Sequence, residues 1–416
     1  MAWSERGQHH ARPADRAHLR RPRHRLRHSR PRHRPGKQSH RGDRIRLVAH
    51  RGEGRVKHGP TGRGVGKQDV LIVADDITGA LDTAGYFATP ETPLKVWLDR
   101  PPAISGGNAV DLDTRDLDEA AACGRVAEIF AGRERGLLSF KKIDSVMRGH
   151  PIAEAVAAFR AGRFRRALFA PAFPAMGRVT VDGRQLVLSP DGMAPVGPAL
   201  VDALSSHGIP AALLGKGAAP GGFAVADASS DAELADAVTA FGQGGDDLYV
   251  GSGGLASVLA GRASPGLRPP ALDLAICGTN HPVTLRQIAA VPGLRCLVMD
   301  DNGALRPEPP VMLVAPANAV SVQQARAMIE RSLERLVATM PRPHAVLVTG
   351  GWTLRLLVRI CAASHLLCEG LYEPGVAVSR MVEGAWDGTA ISSKSGGFGG
   401  DDLLVRLFAP GMKESA

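Results

Sequence analysis

Val70-Leu71-Ile72-Val73-Ala74-Asp75-Asp76-Ile77-Thr78-Gly79-Ala80 opens the part of this chain that reads as folded. Five apolar residues in succession suit a strand covered on both faces. The polar turn after them leads into a helical pattern over 81–87, with Asp76 or Thr78 as the N-cap. In open α/β sheets ligands sit beyond the carboxyl ends of the strands, which puts Asp75 and Asp76 where chemistry occurs. Taken alone, a capping Asp with a solvated neighbour explains the pair as well as a carboxylate pair that binds substrate hydroxyls, accepts a proton or holds a metal.

Three further segments repeat the strand-then-polar-turn pattern: 109–112 before Asp113-Thr114-Arg115-Asp116, 137–143 before Asp144-Ser145-Val146-Met147-Arg148-Gly149-His150, and 166–172 before Pro174-Ala175-Met176-Gly177-Arg178. Each places an Arg at or just past a strand end. Arg115 and Arg148 converging on one crevice would clamp an acid, because the guanidinium fork matches a carboxylate. Pro151 suits the first residue of the next helix, and Asp182-Gly183 reads as a hairpin turn within 179–187. Short strands alternating with helices predict α/β layers with mainly parallel sheets flanked by helices.

At these residues the chain resembles the four-carbon acid sugar kinase family. The resemblance runs through Asp75-Asp76-Ile77-Thr78-Gly79-Ala80-Leu81-Asp82, Lys141-Lys142-Ile143-Asp144-Ser145-Val146-Met147-Arg148-Gly149 and Ala170-Pro171-Ala172-Phe173-Pro174-Ala175-Met176-Gly177-Arg178. It continues through Gly251-Ser252-Gly253-Gly254-Leu255-Ala256, Ile276-Cys277-Gly278-Thr279, Thr349-Gly350-Gly351-Trp352-Thr353 and Lys394-Ser395-Gly396-Gly397-Phe398-Gly399, about residues 69–408 in all. It implies two domains with the active site in the cleft between them: a sugar-acid domain (68–260), a linker (261–270) and a nucleotide-binding domain (271–411). It further implies phosphoryl transfer from ATP with Mg²⁺ to a threonate, erythronate or 3-oxo-tetronate, giving the 4-phosphate. Asp75, Asp76, Asp144 and Arg148 are then the expected catalytic residues, with the identity of the base left open, and Thr78, Arg115, Lys141 and Arg178 the expected substrate contacts.

The nucleotide side has a physical rationale of its own. Gly-rich turns aim successive N–H groups at an anion and let phosphate approach the backbone, and Gly350-Gly351 opens a helix over 353–360 after the strand 346–349. Gly278, Thr279, His281, Gly350, Gly351, Trp352, Thr353, Lys394, Gly396, Gly397 and Gly399 are the expected nucleotide contacts. Trp352 departs from the polar residue that the family usually carries there, and either stacks on adenine or packs.

The remaining composition narrows the alternatives. The net charge of +10 is concentrated in residues 1–67, which hold 20 Lys+Arg against 4 Asp+Glu, leaving 31 against 37 for the rest. The Arg/Pro/His-rich tail lacks apolar periodicity and is expected to be disordered, and an upstream start site is preferred to a nucleic-acid-binding arm. Thr61-Gly62-Arg63-Gly64-Val65-Gly66-Lys67-Gln68 only mimics a P-loop, since Thr61 and Gln68 stand where Gly and Ser/Thr are required. Without an apolar leader or a membrane-length run, the expectation is a cytoplasmic protein without a membrane partner; a homo-oligomer is compatible with the sequence. Cys123, Cys277, Cys296, Cys361 and Cys368 are scattered and read as small buried hydrophobes. Two other readings remain: an NAD-dependent oxidoreductase, from the GxGxxA match at 251–256 with Asp273 for the ribose, and a non-catalytic regulator of the same fold.

Overall fold

The computed structural model describes residues 69–408 except 190–191, 217–220, 243, 245, 262–265, 300–310, 317–318 and 320. The expectations for the tail 1–67, the P-loop mimic, the middle of the linker and residues 409–411 fall outside these residues. All described residues belong to one compact unit, Pro60–Ala416.

The chain begins with β1 (Val70–Ala74), α1 (Ile77–Phe87), β2 (Leu94–Leu98), β3 (Asn108–Asp111), α2 (Glu119–Ala131), β4 (Leu138–Lys142), α3 (Pro151–Ala161) and β5 (Arg166–Ala170). A small antiparallel sheet follows, β6 (Arg178–Val181), β7 (Arg184–Ser189) and β8 (Gly192–Ala199), turning at Asp182-Gly183 as expected. Next come α4 (Leu200–Ser206), β9 (Ala211–Leu213), β10 (Gly222–Val225), α5 (Asp231–Phe241), β11 (Leu248–Gly251) and α6 (Gly253–Ala260). The rest comprises β12 (Leu274–Cys277), α7 (Pro282–Ala289), β13 (Arg295–Val298), β14 (Val311–Val314), α8 (Val322–Thr339), β15 (Ala345–Thr349) and α9 (Gly351–Ile360). It ends with β16 (His365–Glu373), β17 (Val376–Val382), β18 (Ala390–Lys394) and α10 (Leu403–Phe408).

The α/β expectation holds. Among the described residues fifteen strands form one sheet in the order β13-β14-β12-β15-β18-β17-β16-β2-β3-β1-β4-β11-β5-β10-β9. Two parallel runs, one from each half of the chain, are joined through β16 and β17, which pair antiparallel with each other, with β2 and with β18. This continuity departs from the separate sheets expected, because an edge pairing between residues some 270 positions apart leaves no local pattern.

Strand alternation divides β1 between two cores. Val70, Ile72 and Ala74 face the layer that contains α1, α5, α6 and α9, while Leu71 and Val73 face α2 and α3. Register then collects the turns. Ala74 stands opposite Asp111 and Lys142, and Lys142 opposite Gly251, so the chain leaves these four strands at one level. In the other half Thr349 stands opposite Cys277 and Lys394, which gathers the turns at Gly278, Gly350 and Ser395.

The cysteine expectation needs correction. Cys277, Cys361 and Cys368 are buried, but Cys123 is half-buried and Cys296 exposed: Cys296 lies on β13, the edge strand of the sheet, where the outer face has no covering layer.

Candidate active site

Two cavities meet at the ends of these strands. The inner one, about 30 Å³, is lined by Asp82, Lys142, Asp144, Ser145, Phe173, Ser252, Gly253 and Gly375, among others. The outer one, about 420 Å³, is lined by Asp113, Arg178, Thr279, His281, Gly350, Gly351, Trp352, Arg355, Gly396 and Gly397, among others. Asp76, Arg115, Arg148, Ser395 and Phe398 line both and form the neck between them.

Asp76 is the N-cap of α1, its Oδ1 accepting from Gly79 N at 3.0 Å and its Oδ2 from Thr78 Oγ1 at 2.5 Å. Arg115 donates to Asp75 through Nε (2.9 Å) and Nη2 (2.7 Å), and to Asp76 Oδ1 through Nη2 (2.9 Å). Burial pushes the Asp76 carboxyl up, but Arg115, Lys142, Thr78 and Gly79 together outweigh it and hold it at about 2. For Asp75 burial prevails over Arg115, and its pKa lies above the ordinary carboxylate range. Asp75 lines neither cavity; it stands behind Arg115 as its anchor.

Arg148 is tied back to its own loop, donating to Asp144 Oδ2 from Nε at 2.5 Å and to Oδ1 from Nη2 at 3.1 Å. Burial raises the Asp144 pKa, but the Arg148 bonds and Arg115 prevail and lower it. Arg115 and Arg148 thus converge as expected, yet internal carboxylates already occupy both forks. The open clamp read from the sequence is not the observed arrangement.

Lys141 requires a correction. It is fully buried, ion-paired with Glu154 of α3 at 2.6 Å, and reaches neither cavity. The next residue, Lys142, points to the opposite face of β4 and lines the inner cavity. Among the described residues its ammonium makes no ion pair or hydrogen bond, although Asp75, Asp76, Asp82 and Asp144 all feel its charge. Asp82 was also missed as a site residue. It accepts from Gly375 N at 2.8 Å, and burial pushes its carboxyl up to about 6. The period-two rule was the available signal for Lys142; Asp82, one turn beyond Thr78 on α1, is marked by helical spacing.

On the other wall Gly350 takes φ 107°, a conformation suited to glycine, and α9 starts at Gly351 beside Asp76. A Cβ on Gly351 would lie 3.2 Å from Asp76 Oδ2, so the glycine lets the helix N-terminus approach the neck. Gly278, Thr353, Lys394 and Gly399 do not line the cavities. Gly278 leaves space for Thr353, whose Oγ1 would stand 1.7 Å from an added Cβ. Lys394 is buried and donates to Thr284 Oγ1 and to the carbonyls of Ser395, Gly396 and Phe398, at 3.0 to 3.4 Å. It shapes the glycine loop from behind, and burial pushes its pKa down to about 8. Thr279 and His281 stand across from Gly396 and Gly397, with His281 capping α7. Trp352 is half-buried under Arg326, whose guanidinium lies 5.2 Å from the ring.

The glycines of the GxGxxA match serve close packing. A Cβ on Gly253 would meet Asp82 Oδ2 at 2.6 Å, and one on Gly254 the Ala172 carbonyl at 2.4 Å. Asp273 is engaged by the backbone N–H groups of His344 and Ala345. Among the described residues no three of His, Cys, Asp and Glu gather as a metal cage, and no helix is long and apolar enough to cross a membrane.

Residues 70–203 match the family described as the sugar-binding N-terminal domain. The chain is 29% identical to D-threonate kinase of Bordetella bronchiseptica over 392 residues, covering 80% of this chain and 95% of that protein. It is also 29% identical to D-threonate kinase of Cupriavidus necator, over 80% and 96% of the two chains. D-erythronate kinase of Heliobacterium modesticaldum is 35% identical over 131 residues, 29% of this chain and 30% of that one. The fold is shared with a crystal structure from Haemophilus influenzae at a TM-score of 0.58 and 19% identity, covering 82% of this chain and 100% of that one.

Proposed function

The chain belongs to the four-carbon acid sugar kinase family, and on that premise we propose that it transfers the terminal phosphoryl group of ATP to the distal hydroxyl of a four-carbon sugar acid. The observation that carries this reading is the pair of joined cavities with a charged neck. The inner cavity offers the Lys142 ammonium for a carboxylate, and the outer one offers glycine-rich turns and the N-terminus of α9 for phosphates. Residues 68–260 form the acid side and 271–411 the nucleotide side.

With its carboxylate on Lys142, a four-carbon acid extends toward the neck, where Asp76 and Arg148 meet its far hydroxyl. Phosphoryl transfer asks mainly for in-line positioning and neutralisation of charge. The hydroxyl oxygen forms the new P–O bond as the bond to the β–γ bridging oxygen breaks and ADP leaves. The hydroxyl proton passes to a carboxylate at the neck, with Asp76 the candidate: Arg115, Thr78 and Gly79 fix its orientation. Mg²⁺, supplied with the nucleotide, would neutralise the phosphates while keeping mostly water and phosphate ligands.

The test is product formation from Mg-ATP with D-threonate, D-erythronate and their 3-oxo forms. Transfer to one or two acids, reduced at least about 10²-fold in Asp76→Asn, is the expected result. A folded protein that phosphorylates none of them would refute the reading.

A further inference from the structure

Four arginines line the outer cavity: Arg115, Arg148, Arg178 and Arg355. Three are neutralised by the protein itself, Arg115 by Asp75 and Asp76, Arg148 by Asp144, and Arg355 by Asp99, Asp111 and Asp113. Arg178 differs. Its Nε and Nη1 are shut away from solvent without a hydrogen-bond partner, and among the described residues no carboxylate pairs with it. Burial pushes its pKa down; Asp144 opposes this from a distance and Arg148 adds to it.

A guanidinium withdrawn from water without a counter-charge is destabilising. Such a group is expected where a ligand brings the missing charge. The mount is rigid. Arg178 begins β6 directly after Gly177, which takes φ 70°, and its backbone exchanges hydrogen bonds with Phe173 at 2.8 and 3.2 Å. Its guanidinium carbon lies 5.1 Å from the ring centre of Phe398 in the glycine loop, so it reaches across from the acid side to the nucleotide side.

The position also selects the anion. Arg178 does not line the inner cavity, where Lys142 awaits a carboxylate; it lines the outer cavity together with Gly396, Gly397 and the neck. We propose that Arg178 is a catalytic residue that grips the phosphoryl group in transit between the nucleotide and the acid's hydroxyl, and not a ligand of the sugar acid's carboxylate. This rests on the kinase reading. As the P–O bond to the acceptor forms and the bond to ADP breaks, charge spreads over three equatorial oxygens, and a planar two-edged donor held in advance meets it without reorganisation.

The test combines melting and kinetics on the full chain with Arg178→Met and Arg178→Lys. Inorganic phosphate, compared with chloride at equal ionic strength, should raise the Tm of the ligand-free wild type and leave that of Arg178→Met unmoved. Without phosphate, Arg178→Met should melt above the wild type, because the unpaired charge is gone. Its kcat should fall about 10²–10³-fold, with the sugar-acid KM changed by less than about threefold, and Arg178→Lys should recover part of the loss. A raised sugar-acid KM at unchanged kcat would overturn the proposal and assign Arg178 to the acid. Phosphate stabilisation that survives in Arg178→Met would overturn it as well. If the wild type transfers phosphate to no acid while phosphate stabilisation still requires Arg178, the kinase reading fails and the phosphate site stands.

Discussion

Strand alternation sends the Lys141 ammonium into the core, where Glu154 holds it at 2.6 Å, and the Lys142 ammonium into the inner cavity. Breaking a buried pair leaves one charge without a partner, so Lys141→Ala should cost about 3–5 kcal/mol in urea unfolding. Replacing both partners, Lys141→Met with Glu154→Leu, should restore most of that stability and leave the sugar-acid KM unchanged. A KM raised tenfold or more in a stable double variant would return Lys141 to the substrate. The sequence shows two adjacent lysines at a strand end, which locates a cationic site to within one residue. Choosing between them requires knowing which face of β4 meets α3, and that is a matter of packing.

At the level of elements, the turn after β18 shows how a glycine loop is held open for a ligand. Lys394 fixes it through Ser395, Gly396 and Phe398 carbonyls while Gln287 binds the carbonyls of Phe398, Gly399 and Gly400. Burial lowers the Lys394 pKa to about 8, so the ammonium is present below that pH and gives way to the neutral amine above it. The amine has one donor fewer for the same acceptors. The nucleotide KM should therefore rise as the pH passes 8, by about tenfold for one lost charge-assisted bond. In Lys394→Met the KM should be high and flat over the same range; a wild-type KM that stays constant from pH 7 to 9.5 would contradict this role. The glycines of this loop and of Gly350-Gly351 were legible as an anion-binding pattern. That Lys394 works from beneath the loop was not, since a lysine next to glycines reads the same whether its side chain points at the ligand or away.

Across the whole molecule, Arg355 joins the two parallel runs. From α9, four residues after Gly351, it reaches Asp99 and Asp111 at 2.6 Å and Asp113 at 3.2 Å, at the ends of β2 and β3. Asp113 lies two residues before Arg115, so the acid-side turn and the nucleotide-side helix share one buried cation. Arg355→Ala would strand the fully buried Asp111, and a loss of about 3–5 kcal/mol in chemical unfolding is expected. Arg355→Lys should recover only part, because one ammonium cannot span three carboxylates in the guanidinium's geometry. A loss below about 1 kcal/mol would show that other contacts hold the two runs together. The sequence by itself determined the strand-turn-helix units, the carboxylates and arginines at strand ends and the glycine turns, because each depends on neighbours within a few residues. The tertiary structure alone decided the rest: one sheet joined through β2 and β16, arginine forks already filled by internal carboxylates, Lys142 in place of Lys141, and Arg178 left without a counter-charge. Those outcomes depend on which distant side chains share a buried space, and there the cost of an unpaired charge is set by surroundings that no local pattern records.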